Sequence, residues 1–153
     1  MGLRERINEE TKASMKAGNA ARTSTLRMIL ARLKDTDIAA RPKGITQVPD
    51  EDIISMLRGM VKSRRESIEL YRQGNRPELA AKEAAEIEVI ESFLPAQMDP
   101  AAIEAAVNEA IQSANATGIK DMGNVMAMLK ARHGAQLDMS VAGPIVKTRL
   151  QAL

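Results

Sequence analysis

Cysteine and tryptophan are absent from the 153 residues, and the aromatic side chains number two, Tyr71 and Phe93. Without cysteine there are no disulfides, thiolate zinc sites, iron–sulfur clusters or thiol nucleophiles. With two aromatics there is no set of platforms on which single-stranded bases would stack. A single histidine, His133, leaves little for metal ligation or a histidine-based triad, and no metal or cofactor is expected. The glycines are scattered and form neither a Gly-x-Gly-x-x-Gly turn nor a Walker loop, so ATP binding has no support. Apolar runs are only a few residues long, far short of the roughly 20 that span a bilayer. The charged start, Met1-Gly2-Leu3-Arg4-Glu5-Arg6, leads into no apolar segment, which predicts no signal peptide. Together with the missing cysteines it predicts a cytoplasmic protein without a membrane partner.

What remains is 44% hydrophobic and 27% charged, an ordinary globular balance. Ten methionines, with leucine, isoleucine and alanine, must build the core, and this composition favours helix over strand. The net charge of +2 conceals an asymmetry. Residues 1–76 carry 16 Lys/Arg and 10 Asp/Glu, residues 77–98 one and five, residues 99–153 five of each. The basic half suits a polyanion or the acidic segment that follows it.

The expected fold class is all-α: an N-terminal helical bundle with a long helical hairpin (1–96), then a small three-helix tail module (97–153). Leu3, Ile7, Thr11 and Met15 repeat every four residues in a helix over 3–17, stopped by Gly18-Asn19. A second helix over 20–39 carries Leu26, Ile29, Leu30 and Leu33. Pro42 and Gly44 make 40–48 a loop. The third helix, 50–74, opens on Asp50-Glu51-Asp52 at its positive end and aligns Ile53, Leu57, Met60, Val61, Ile68 and Tyr71. After the break at 73–76, Pro77 opens a fourth helix over 77–94 with Leu79, Ile87, Ile90 and Leu94. The tail reads as helices over 100–114, 121–132 and about 140–151, with Asp99 as a cap and Pro144 near the last helix's first turn.

Two constellations stand out on the third helix. At 100° per residue, Arg58, Lys62, Arg65, Glu69 and Arg72 form a stripe beside the apolar face. Like charges four apart repel, so the stripe reads as a solvated face, a nucleic-acid surface or a site for an acidic partner. In the second helix Arg27 and Lys34, seven apart, extend it. Arg64, by contrast, falls inside the apolar face, where a charge needs a partner. A hairpin turning near residue 75 sets Arg64 opposite Glu86, with Glu83 one turn away. That predicts a half-buried ion pair fixing the hairpin register, or else a ligand-binding arginine. Glu83, Glu86, Glu88 and Glu91 have no histidine beside them for a metal pattern. His133 ends a helix. Met122, Val125, Met126, Met128 and Leu129 read as core or as an adhesive partner surface.

Several runs taken together resemble the YqeY family (GatB/YqeY): Leu26-Arg27-Met28-Ile29; Lys62-Ser63-Arg64-Arg65-Glu66-Ser67-Ile68-Glu69-Leu70-Tyr71; Leu79-Ala80-Ala81-Lys82-Glu83; Glu91-Ser92-Phe93-Leu94-Pro95-Ala96-Gln97; Lys120-Asp121-Met122-Gly123-Asn124-Val125-Met126; and Val146-Lys147-Thr148-Arg149-Leu150. The resemblance implies a helical bundle followed by a three-helix module, similar to the tail domain of the B subunit of glutamyl/aspartyl-tRNA amidotransferase. It implies a tRNA-binding or amidotransferase-related accessory role without catalysis, with tRNA or a tRNA-processing enzyme as partner. At the matching tail positions Lys130, Arg132, Lys147 and Arg149 would meet RNA backbone. After Gly134 the family often has a basic residue; here Ala135-Gln136-Leu137-Asp138 follows. The activity attached to the family, carbon–nitrogen ligation with glutamine as amido donor, is one alternative. A protein–protein adaptor using charged or Met-rich helix faces is another.

Overall fold

The structure, a computed structural model, describes residues 2–153. It is all-α: seven α-helices and three short 3₁₀ turns, with no strand among the described residues. The helices are α1 (Leu3–Lys16), α2 (Ala20–Ala40), α3 (Asp50–Gln73), α4 (Pro77–Glu91), α5 (Pro100–Ser113), α6 (Met122–His133) and α7 (Met139–Gln151). The chain divides into two compact units, the first ending at Leu94 and the second Pro95–Leu153.

In the first unit α1 and α2 form one antiparallel pair and α3 and α4 another. Their apolar stripes meet in a core of Leu3, Ile7, Leu26, Ile29, Leu33, Val48, Ile53, Leu57, Met60, Val61, Ile90 and Phe93. The α1 stripe departs from the four-residue repeat. Ser14 is buried in place of Met15, which is 52% exposed. A spacing of four overshoots the helical turn by about 40° each time, so by the third repeat the side chain has rotated out of the core. Ser14 takes the inner position by sharing a 2.8 Å hydrogen bond with Thr23 of α2. Thr11 Oγ1 donates to the Ile7 carbonyl at 2.7 Å. Both inner hydroxyls are thus satisfied, which their burial requires.

Three other boundaries differ from the sequence reading. The loop expected at 40–48 begins with helix: α2 runs through Ala40 and a 3₁₀ turn covers Arg41–Lys43. Pro42 stands in the first turn of that element, where no N–H is needed, and Gly44 ends it at φ 79°. Second, α4 ends at Glu91 rather than Leu94. Pro95 disfavours helical backbone at the residue before it, so Ser92, Phe93 and Leu94 close in a turn, Phe93 N–H donating to the Ile90 carbonyl at 3.2 Å. That turn swings Phe93 into the core at 2% exposure. Third, Pro144 lies beyond the first turn of α7, inside the helix, so the carbonyl one turn before it has no helical N–H partner.

In the second unit α5, α6 and α7 pack around Ile103, Ala106, Val107, Ala110, Val125, Leu129, Leu137, Ala142, Val146 and Leu150. Met122, Met126 and Met128 are partly buried against that core. Asp99 and Asp138 cap α5 and α7 through Ala102 N–H (2.7 Å) and Ser140 N–H (2.9 Å). The turns after α3 and α5 each place an asparagine in the left-handed region, Asn75 (φ 55°) and Asn115 (φ 51°), the non-glycine residue that tolerates it best.

Candidate functional surface

The candidate cations divide between the two units. Arg27 and Lys34 lie on the outer face of α2, and both are exposed. On α3, Lys62, Arg65 and Arg72 are exposed and Arg58 is half-buried. Lys130 and Arg132 sit in the last turn of α6, with His133, and Lys147 and Arg149 lie on α7.

The α3 stripe is not a uniform positive surface. Arg65 Nη2 donates to Glu91 Oε1 of α4 at 2.9 Å. Glu69 stands within the stripe, between Arg65 and Arg72. Arg149 is likewise engaged, donating to Asn108 Oδ1 and lying 3.7 Å from Glu104. Lys62, Arg72, Arg132 and Lys147 are exposed and enter none of the ion pairs among the described residues. Lys62 and Arg72 are ten residues apart, about 15 Å along the helix.

Arg64 sits at the foot of the α3–α4 hairpin. Its Nε donates to Glu86 Oε2 at 2.9 Å and lies 3.8 Å from Glu83 Oε2. Its Nη1 donates to the Met60 carbonyl at 3.2 Å and its Nη2 approaches Met28 Sδ at 3.9 Å. The side chains of Arg64 and Glu86 are 15% and 14% exposed, so the charge is partly desolvated and its head group is held by α4. These contacts make Arg64 a strut between α3 and α4.

A second strut escaped the sequence reading. Arg4 Nη1 and Nη2 donate to the two carboxylate oxygens of Asp37 at 2.8 and 3.0 Å. Asp37 Oδ1 also accepts from Val48 N–H at 2.9 Å, and Arg4 Nη2 donates to the Val48 carbonyl at 3.2 Å. The hydrogen bonds from the Arg4 guanidinium hold the Asp37 carboxyl below the usual carboxylate range against the opposing effect of burial, and they raise Arg4 in turn. This group ties the segment entering α3 to both α1 and α2, and it carries the polar backbone of that segment where Val48 enters the core. A signal was present: Asp37 continues the spacing Leu26, Leu30, Leu33 along the inner face of α2, the same anomaly that marks Arg64.

The turn between α1 and α2 forms a shallow depression of about 650 Å³ that includes Met15, Arg27 and Met28. Among the described residues no group of three or more histidine, aspartate and glutamate side chains is placed to hold a metal ion. No helix among them is long and apolar enough to cross a membrane.

These features define an all-α protein of two helical units, with several charged side chains bracing the helices of the first. The chain belongs to the YqeY family: the family model, described as Yqey-like protein, matches residues 4–150. Among individual proteins it is similar to Altered inheritance of mitochondria protein 41, mitochondrial, of Lachancea thermotolerans, 30% identical over 107 residues, 70% of this chain and 54% of that one. The protein of the same name in Eremothecium gossypii is 31% identical over 90 residues, covering 59% and 48% of the two chains. That of Pyrenophora tritici-repentis is 28% identical over 135 residues, covering 83% and 71%. The matched stretch spans about half the length of the Lachancea and Eremothecium proteins.

Proposed function

We propose that this chain is a non-catalytic accessory module of tRNA handling that meets RNA through its phosphate backbone. The observation that carries the reading is the exposed pair Lys62 and Arg72 on α3, free of the ion pairs that occupy Arg64 and Arg65. Lys34 on α2 and Arg132 and Lys147 in the second unit are exposed as well. Backbone contact needs cations and no aromatic platforms, which agrees with a chain whose one phenylalanine is buried. The resemblance to the tail of a tRNA amidotransferase subunit points to the same class of ligand. The relatives' names refer to mitochondrial inheritance; an accessory role in an RNA-dependent process of whichever compartment holds the protein accommodates them.

The test is binding of total deacylated tRNA to the full chain at two salt concentrations. Affinity falls steeply with salt, because each neutralised phosphate releases condensed counterions. The double reversal Lys62→Glu/Arg72→Glu lowers affinity and reduces the magnitude of the log–log salt slope by about 2. No binding at low salt, or an unchanged slope in the variant, overturns the reading.

A further inference from the structure

The depression between α1 and α2 presents a different chemistry from the cationic surface. Its walls include Met15 from the end of α1 and Ala20, Ser24, Arg27, Met28 and Ala31 from α2. Taking 100° per residue, Ala20, Ser24, Arg27, Ala31 and Lys34 fall within about 40° of one line along α2. That line lies on the side opposite Leu26, Ile29 and Leu33, which are buried. The result is a shallow trough with small side chains along its floor and a large thioether on each flank, Met15 52% and Met28 37% exposed.

The charge in this trough is incomplete. No carboxylate lines it. Arg4, Arg22, Arg64 and Arg65 each have a carboxylate oxygen within 2.9 Å. The side-chain partner of Arg27 is instead the sulfur of Met15, at 3.9 Å. A thioether is a weak acceptor for a guanidinium. Lys34 follows two turns further along the same line, about 10 Å away, and is exposed.

We propose that this trough docks an acidic amphipathic helix of a partner protein. An apolar side chain of that helix sits between Met15 and Met28, whose unbranched chains adapt to the shape offered. One carboxylate replaces the sulfur at Arg27, and a second, seven residues along, meets Lys34. This is recognition of a helix in a groove, with apolar anchors supplying contact area and the two cations setting direction and register. The inference is carried by Arg27, Met15 and Met28, whereas the RNA reading is carried by Lys62 and Arg72; Lys34 is the one cation the two share.

The probe is a fluorescein-labelled 16-residue helical peptide with leucines three and four apart on one face and two glutamates seven apart beside them. Its control is the same peptide with lysines in place of the glutamates. Anisotropy with the full chain shows the acidic peptide binding at least about tenfold more tightly than the basic one at low salt, a difference of one decade in Kd. Arg27→Glu reverses the order, weakening the acidic peptide by about tenfold and strengthening the basic one. Met28→Gln, which removes the thioether contact without adding a charge, weakens both peptides. Arg27 and Met28 are exposed, and an unchanged helical circular dichroism spectrum confirms that each variant folds. Equal affinity for the two peptides, or an acidic complex insensitive to Arg27→Glu, overturns the proposal. So does concentration-dependent self-association that Arg27→Glu abolishes while neither peptide binds, which assigns the trough to a second copy of the chain. Because Lys62→Glu/Arg72→Glu leaves the trough intact, peptide binding and tRNA binding fail separately.

Discussion

The two units solve the same problem, burying one stripe of each helix, with different materials. The first is large-cored and laced. Its buried residues include Phe93 and a set of isoleucines and leucines, and its helices are joined by Arg4–Asp37, Arg22–Glu10, Arg64–Glu86 and Ser14–Thr23. The second has a core in which Ala106, Ala110 and Ala142 hold central positions. Its inter-helix polar links include the partly exposed Arg149 with Asn108 and Glu104. Small side chains let helices approach closely but remove less apolar surface from water. At ~60 residues a single core is marginal. Part-buried ion pairs hold four helices and a connecting segment in register in the first unit, whereas the second combines close packing with side-chain caps on α5 and α7.

Breaking the cores gives the largest effects. Leu129→Ala, at a fully buried position of α6, costs about 3 kcal/mol. Amide exchange in the full chain shows protection lost throughout residues 100–151 while the first unit keeps its own. Ile53→Ala, equally buried, costs a similar amount but lowers protection in the first unit only in degree, because its core is larger. Equal losses in both units would erase the distinction between them.

Breaking a strut comes next. Asp37→Asn removes the charge that Arg4 and Val48 share and costs about 2 kcal/mol, read as a shift in urea midpoint with probes in the first unit alone. The wild-type Asp37 carboxyl is held below its ordinary value by Arg4. Its contribution is therefore complete above the unfolded aspartate value of about 3.9 and is lost as pH falls through the lower folded value. Acid unfolding of the first unit is steeper in the wild type than in Asp37→Asn, and an identical pH slope would show that the strut carries no linkage. Arg64→Ala strands Glu86 in a half-buried site and costs about 1–2 kcal/mol, whereas the double variant Arg64→Met/Glu86→Leu, which removes both charges and fills the space, costs less. If both variants were equally damaging, the arginine would be doing more than bracing.

Smaller effects sharpen the picture at helix ends and exposed faces. Asp99→Ala removes the cap on Ala102 N–H and costs about 1 kcal/mol, confined to the second unit. Glu91→Gln, which breaks the exposed pair with Arg65, shifts stability by less than about 0.5 kcal/mol. It also frees Arg65 for phosphate, so tRNA affinity rises slightly if α3 is the RNA-facing surface. Gly59→Ala has open space around the added methyl and raises stability by about 0.5–1 kcal/mol, by analogy with other helix-interior glycines.

Much of the helical order is written in local patterns. Gly18-Asn19, Pro77, Asp99-Pro100 and Gly134 punctuate helices through their own backbone and side-chain preferences, and these act without reference to the rest of the chain. The apolar positions of α2 and α3 follow from a period of 3.6. The position of Arg64 opposite Glu86 follows from counting back through one turn of the hairpin. By contrast, the inward place of Ser14 and the outward place of Met15 depend on accumulated helical phase and on Thr23 arriving from the next helix. The contraction of α4 depends on Pro95 acting on the residues before it, and the burial of Phe93 depends on the turn that results.

The candidate surface was less legible because its elements lie far apart in sequence. Arg4 meets Asp37 across 33 residues and Val48 across 44. Arg65 is neutralised by a glutamate 26 residues away, and the trough at Arg27 exists because α1 ends beside α2 with a methionine turned outward. Composition and periodicity by themselves determined that this chain is helical, where most helices begin, and which cations are available. The tertiary structure decided which of those cations are spent inside the fold and which face outward. A charge is neutralised by whatever lies within a few ångströms of it, and only the folded chain fixes those neighbours.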